Sequence, residues 1–182
     1  MAFVEHRRTT AFDIIREWPK ESRIQAMEII AKYGEPQEIT ETMLVWINNG
    51  VWNKTIVHKE PVLHNWPAPH PDVLEQTISF KVPLEKYDDL ARFDGSVFVE
   101  RTKGILGAKC HFESMNYVAI NLAHDVIHGK SVEQARKDYE EAFTLTVIQN
   151  NPPELAQHLN FQPQDVAQAR DPDIETLSSH KE

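Results

Sequence analysis

The segment Leu74-Glu-Gln-Thr-Ile-Ser-Phe-Lys-Val82 has the most regular alternation of side chains in this sequence. Successive side chains of a β-strand point to opposite faces of the sheet. A strand over this segment would place Leu74, Gln76 and Ile78 on one face, followed at the same spacing by a Phe and a Val. The segment therefore predicts a strand with one packed face and one polar face.

Predicted hairpins flank this strand on both sides. Met43–Ile47 and Val51–His58 are rich in β-branched and aromatic residues and are joined by an Asn-Asn-Gly turn. Asn and Gly tolerate the positive φ that tight hairpin turns require. Ser96–Arg101 and Ile105–Cys110 form a second pair around a Thr-Lys-Gly turn. Strands joined by such short connections predict a mostly antiparallel sheet.

Helices are predicted at both ends of the chain. Apolar residues recur at helical spacing in Ala11–Trp18 and Glu21–Tyr33, and again in Phe112–His128 and in a segment that begins at Ser131. A shorter helix, Leu84–Phe93, is predicted between the central strand and the second hairpin. This order predicts an α+β fold, with helices packed on one face of a sheet of about five strands.

Length and composition favour one domain followed by a tail. The chain has 182 residues, with 19 Lys and Arg against 28 Asp and Glu, and a formal net charge of −9. Residues 1–150 are predicted to form a single α+β domain. The composition then becomes polar and rich in proline, so residues 151–182 are predicted to form a polar C-terminal tail with at most one short helix near Glu154–His158.

Several classes of protein are excluded by composition. The lone cysteine, Cys110, permits neither an internal disulfide nor a zinc site that is held by several thiolates. No apolar run approaches the ~20 residues of a membrane helix, and the start of the chain does not resemble a secretory signal. The acidic balance argues against binding to a phosphate backbone. We therefore expect a cytoplasmic protein that associates with neither nucleic acid nor membrane.

Two stretches carry a resemblance to known sequences. They are Glu5-His-Arg-Arg-Thr-Thr-Ala-Phe-Asp-Ile-Ile-Arg-Glu-Trp-Pro19 and Phe93-Asp-Gly-Ser-Val-Phe-Val-Glu-Arg-Thr-Lys-Gly104. Both are similar to an uncharacterised family of bacterial hypothetical proteins that has no assigned activity. The resemblance extends from the N-terminus through the helix predicted to end near His128. It implies a bacterial source, and it assigns no functional residue.

Two histidines are four residues apart on a predicted helix. His124 and His128 have the spacing at which two imidazoles can share one metal ion. On a helical projection they lie in a polar strip opposite the apolar stripe. The simplest interpretation is a solvent-exposed face. The alternatives are a strip that binds a metal or ligand beneath another element, and a surface that binds a partner.

The predicted loop Pro61–Pro71 contains two more histidines and a tryptophan. Its prolines stiffen the loop, and ordered loops of this kind often frame a site. His64 and His70 are therefore candidate metal ligands, and Trp66 is a candidate ligand-binding residue. The alternative is that Trp66 only covers the core.

Arg101 and Cys110 are the remaining candidates. Arg101, on the predicted fourth strand, could bind an anionic ligand, whereas the ordinary interpretation is a cross-strand ion pair. Cys110 shares a strand face with Leu106 and Ala108, so it is predicted to be a buried apolar thiol and not a nucleophile.

Two hypotheses about function follow. The sequence contains no phosphate-binding glycine loop, no Gly-x-Ser-x-Gly and no His-Glu-x-x-His. The first hypothesis is therefore a non-catalytic domain that binds a protein partner, a second copy of itself or a small ligand. The alternative is a metal-dependent enzyme that holds a divalent ion with the loop and helix histidines His64, His70, His124 and His128.

Overall fold

The computed structural model describes residues 10–174, and the strands of this range form one antiparallel sheet in the order β1-β2-β3-β4-β6-β5. The strands are β1 (Glu38–Ile39), β2 (Met43–Asn49), β3 (Trp52–His64), β4 (His70–Ser79), β5 (Val97–Glu100) and β6 (Ile105–Cys110). The predicted α+β class and antiparallel sheet are confirmed. The sheet has one strand more than the five expected, because the two-residue β1 pairs with β2 at the sheet edge.

Helices precede and follow the sheet, as the sequence predicts. They are α1 (Ala11–Ile15), α2 (Lys20–Tyr33), α3 (Tyr87–Phe93), α4 (Glu113–Ile127), α5 (Val132–Phe143) and α6 (Val166–Ala169). Side-chain caps begin three of them, since Thr10 accepts from the backbone of Asp13, Ser131 from that of Gln134 and Asp165 from that of Ala167. Within the described residues, no helix is long and apolar enough to cross a membrane.

All the large helices pack on one face of the sheet. The α1–α2 pair covers Leu44, Trp46 and Val57 on the β2–β3 side. The α3–α5 group covers Ile78 and Leu106 on the β4–β6 side. Burial of these apolar side chains is the main contribution to the stability of the layered fold.

Glu113 connects the two halves of the helical layer. This residue begins α4 and accepts hydrogen bonds from Tyr33 of α2 at 2.6 Å, Trp52 of β3 at 2.8 Å and Gln76 of β4 at 2.9 Å. Lys32 of α2 pairs with its other carboxylate oxygen. Burial alone would raise the pKa of Glu113, but these donors hold it below its ordinary value.

The polar segment after residue 150 contacts the rest of the protein as far as the structure describes it. Asn121 of α4 donates to the carbonyl oxygens of Leu155 and His158 and accepts from the backbone of Asn160. The backbone nitrogen of Gln164 donates to Ser79 at the end of β4. The domain boundary at residue 150 stays a prediction, and residues 175–182 of the predicted tail lie outside the described range.

The predicted loop Pro61–Pro71 is much shorter than expected, and this part of the sequence prediction is wrong. β3 runs through Pro61 to His64, and β4 begins at His70. Proline is tolerated in a strand where the ladder is interrupted. Here the pairing is irregular. Val57 pairs with Leu74, and the next pair is Val62 with Asp72, so five steps along β3 correspond to only two along β4. The connection is therefore a tight loop at the end of a long hairpin, and it fixes both histidines on strands.

Candidate metal centre

The end of the β3–β4 hairpin brings two histidines and an aspartate to one face. His64 and His70 are directly opposed cross-strand partners. Asp72 follows His70 by two residues on β4, so its side chain lies on the same side of the sheet. Leu74, two residues further on, is buried beneath the helices. The three polar side chains therefore continue the packed face of the sheet.

Their ligand atoms converge on one point. One nitrogen from each of His64 and His70 and one oxygen of Asp72 lie within 4.8 Å of one another. Nε2 of His70 is 3.3 Å from Oδ1 of Asp72, and Nδ1 of His64 is 3.5 Å from Oδ2 of the same carboxylate. Two imidazoles and a carboxylate are a ligand set that suits zinc and other divalent transition metals.

The orientation of His70 is fixed from behind. Its Nδ1 lies 2.7 Å from the carbonyl oxygen of Ala68, which can only accept, so Nδ1 carries a proton and Nε2 points at Asp72. Burial lowers the pKa of this imidazole, but its contacts with Asp72 and Cys110 outweigh burial and raise it to about 10. The surroundings thus favour positive charge at Nε2, whether a proton or a metal ion supplies it.

Asp72 is 5% exposed, and only one of its two oxygens is satisfied within residues 10–174. The hydroxyl of Ser96 donates to Oδ2, whereas Oδ1 has no hydrogen-bond partner in this range. A buried carboxylate oxygen without a partner is costly. Oδ1 has an ion-pair contact with Nε2 of His70 at 3.3 Å, so a proton on this nitrogen, or a metal ion bound to both atoms, would neutralise it.

A second buried carboxylate lies beside the first. Asp94 accepts a hydrogen bond from the backbone nitrogen of Ser96 at 2.8 Å, and its Oδ1 is 3.8 Å from Nε2 of His64. Burial is the largest influence on Asp94 and raises its pKa. The site thus concentrates carboxylate groups around two imidazoles in a poorly solvated region.

Cys110 completes the surroundings of His70. Its sulfur lies 3.6 Å from Nε2 of His70 and 3.8 Å from the hydroxyl of Tyr139 on α5. The thiol is 2% exposed, so the predicted burial is confirmed. Its apolar strand face did not indicate these polar neighbours, because they come from β4 and α5.

Two clefts approach the cluster from different directions. One, of about 290 Å³, is lined by His70 and Cys110 together with Phe143 and Val147. The other, of about 350 Å³, is lined by Asp72 and Ser96 and by residues of β3, β5 and β6. A metal ion or a small ligand therefore has routes to the buried side chains.

Trp66 and Arg101 have partners within the chain. The Trp66 ring packs on Tyr139 with centroids 4.6 Å apart, and the guanidinium of Arg136 lies 3.9 Å from its centre. Arg101 pairs with Asp171 and Asp173 of the C-terminal segment. Binding of an external ligand by Trp66 or Arg101 stays a prediction.

His124 and His128 are placed apart from the loop pair. The His124 ring stacks on Phe161 at 3.9 Å and meets Phe80 edge-on. Nδ1 of His128 lies 2.7 Å from the carbonyl oxygen of His124, one turn earlier. Among residues 10–174, neither histidine belongs to a group of three or more converging metal-ligand side chains. The structure therefore does not bring the four predicted ligands together.

Comparison with known proteins adds no functional assignment. No protein-family model, no curated protein and no solved structure matches this chain. The resemblance to bacterial hypothetical proteins therefore stays a prediction, and function must be argued from the geometry of the site.

Proposed function

We propose that this protein binds a divalent transition-metal ion through His64, His70 and Asp72. The observation that carries the proposal is the convergence of one ligand atom from each of the three side chains to within 4.8 Å of one another. A metal ion placed there would bond to the Asp72 carboxylate and displace the proton from Nε2 of His70, which the Ala68 carbonyl aims at the carboxylate.

Contacts outside the three ligands support the same assignment. Metal-binding imidazoles usually donate their second nitrogen to a carbonyl or carboxylate, and metal-binding carboxylates are themselves hydrogen-bonded. Ala68 supplies the first of these contacts to His70, and Ser96 supplies the second to Asp72. Such contacts hold the ligands in position before an ion arrives.

The proposal draws on both hypotheses from the sequence. From the first hypothesis it keeps a small ligand that is bound without catalysis. From the second it takes the metal ion and two of the predicted ligands, His64 and His70. A metal-dependent enzyme would also need a coordination position open to water or substrate. The identity of the fourth ligand therefore separates a structural ion from a catalytic one. A cytoplasmic location remains part of the proposal on the basis of the lone cysteine.

Elemental analysis of the purified, untagged full-length chain tests the proposal. After loading with zinc and removal of the excess, we expect about one ion per chain in the wild type. We expect loss of the ion in His70→Gln and Asp72→Asn, with helical content retained by circular dichroism. The double variant His124→Gln/His128→Gln is the matched control and should keep the ion. A wild type that cannot be loaded, or ligand variants that keep a full equivalent, would overturn the proposal.

A further inference from the structure

The position of Cys110 relative to His70 bears on how the metal centre is completed, and this inference rests on the proposed function. Zinc bonds to nitrogen or oxygen are about 2.0–2.1 Å long, and those to sulfur about 2.3 Å. In a tetrahedron, such bonds put nitrogen and oxygen ligands about 3.3 Å apart, and nitrogen and sulfur ligands about 3.6 Å apart. Nε2 of His70 is 3.3 Å from Oδ1 of Asp72 and 3.6 Å from the sulfur of Cys110.

Both separations have the lengths of tetrahedron edges that meet at Nε2 of His70. The sulfur is not among the ligand atoms that already lie within 4.8 Å of one another, so coordination would draw the Cys110 side chain closer to Asp72 and His64. The backbone explains the two separations, since Cys110 of β6 is the cross-strand partner of Leu74, two residues beyond Asp72 on β4. Sulfur and carboxylate consequently lie on the same face of neighbouring strands. The other two residues on this face of β6, Leu106 and Ala108, are apolar and buried in the core.

Asp94 fits the fourth position less well than Cys110 does. Its Oδ1 accepts a hydrogen bond from the backbone of Ser96 and is 3.8 Å from the nearer nitrogen of His64. Within the described residues, the sulfur of Cys110 has only the long contacts to His70 and Tyr139. A sulfur atom without a strong partner is free to bond to a metal.

Charge also favours a thiolate at this position. A divalent ion bound by one carboxylate and two neutral imidazoles leaves one net positive charge on the ion and its three ligands, which is costly in a buried site unless the neighbouring Asp94 carboxylate offsets it. Coordination deprotonates a thiol. The metal–sulfur bond forms as the S–H bond breaks, the proton leaves to solvent, and no electron is transferred. The resulting site of Asp72, Cys110 and two imidazoles has no net charge.

We propose that Cys110 is the fourth ligand of the metal centre, so that the site is tetrahedral and takes a thiophilic ion of the zinc class in preference to magnesium or calcium. Hard cations prefer oxygen ligands, whereas thiolate and imidazole select zinc and its neighbours. One thiolate suffices because the imidazoles and the carboxylate supply the other three ligands. With four protein ligands the site is closed, as structural zinc sites are.

Cobalt(II) titration of the chelator-treated full-length protein tests this assignment. Cobalt replaces zinc in tetrahedral sites, and a cobalt–thiolate bond gives a charge-transfer absorption in the near ultraviolet. We expect this band in the wild type at one equivalent of cobalt. Cys110→Ser should lose the band and bind cobalt at least about 10-fold more weakly. Cys110→Ala provides the same test if serine proves unsuitable for folding, and His111→Gln, in the same cleft, is the control that should keep the band.

The possible failures are distinguishable. Stoichiometric cobalt binding without the charge-transfer band, at equal affinity in Cys110→Ala, would overturn the assignment of Cys110 and leave the three-ligand proposal intact. Failure of the wild type to bind cobalt at all would overturn both. Equal or tighter binding of magnesium in competition with zinc would contradict the proposed class of ion.

Discussion

Nε2 of His70 lies 3.3 Å from Oδ1 of Asp72, two residues further along the same strand. The carbonyl of Ala68 holds the imidazole from the other side, and the hydroxyl of Ser96 holds the other carboxylate oxygen. Oδ1 of Asp72 and Nε2 of His70 therefore face each other in a buried space. This relationship is the basis of the metal centre proposed for the protein.

Removal of residues 152–182 should destabilise the protein. The buried side chain of Asn121 would lose three hydrogen bonds to this segment. Each unsatisfied buried polar group costs about 1–3 kcal/mol, and apolar burial by Leu159 would be lost as well. We expect a loss of roughly 3 kcal/mol or more by urea denaturation. An unchanged unfolding midpoint would instead support the dispensable tail that the sequence predicts.

The sequence predicts most of the fold because its signals are local. The alternation that begins at Leu74, the Asn-Gly turn before Val51 and the glycine after Tyr33 each mark an element that the structure contains. The short β1 was missed because two residues carry no period. The extension of β3 was missed because Pro61 is a strong loop signal, and only tertiary pairing around the irregular ladder allows it there.

The candidate site was only partly predictable. His64 and His70 were identified, but no local pattern separates them from the helix pair His124 and His128. Asp72 had a local signal, since a His-x-Asp pattern on a strand places both side chains on one face. Asp94 and the contact of Cys110 with His70 depend on pairing between distant strands, which no local pattern specifies.

Replacement of Glu113 should have a large effect on stability. Its carboxylate accepts from Trp52, Gln76 and Tyr33, and Glu113→Ala would leave buried donors without an acceptor. We expect a loss of about 3 kcal/mol or more in the free energy of unfolding. The exposed Glu141→Ala on α5 is the control and should change it by less than about 0.5 kcal/mol. Equal effects of both changes would refute the central role of Glu113.

Stability should fall in acid partly through Glu75. Burial would raise its pKa, but hydrogen bonds from His58 and Lys109 outweigh burial and hold the pKa at about 2. Because the folded-state pKa lies below the ordinary value of 4.5, the contribution is complete above pH 4.5 and is lost as the pH falls towards 2. At neutral pH it amounts to at most about 3 kcal/mol.

Comparison of the wild type with Glu75→Gln at two pH values measures this contribution. The variant should be less stable at pH 7, and the difference should shrink by about half at pH 3. A difference that is constant with pH would show that the carboxylate charge of Glu75 is not responsible.

Zinc should stabilise the folded state by mass action. At free zinc one hundred times its dissociation constant, the gain is about 2.7 kcal/mol, which corresponds to a rise of roughly 5–10 °C in Tm. Asp72→Asn should lose this response, because it removes a charged ligand, whereas His124→Gln/His128→Gln should retain it. A response that survives in Asp72→Asn would indicate that zinc binds elsewhere.

An anomalous difference map at the zinc absorption edge, from crystals of the zinc-loaded full-length protein, locates the ion directly. We expect one peak bonded to Nε2 of His70 and Oδ1 of Asp72 at about 2.0–2.1 Å, and to a nitrogen of His64. Cys110 should complete the tetrahedron at about 2.3 Å. A map with no peak at this end of the β3–β4 hairpin, or with its main peak at His124 and His128, would contradict the proposed metal centre.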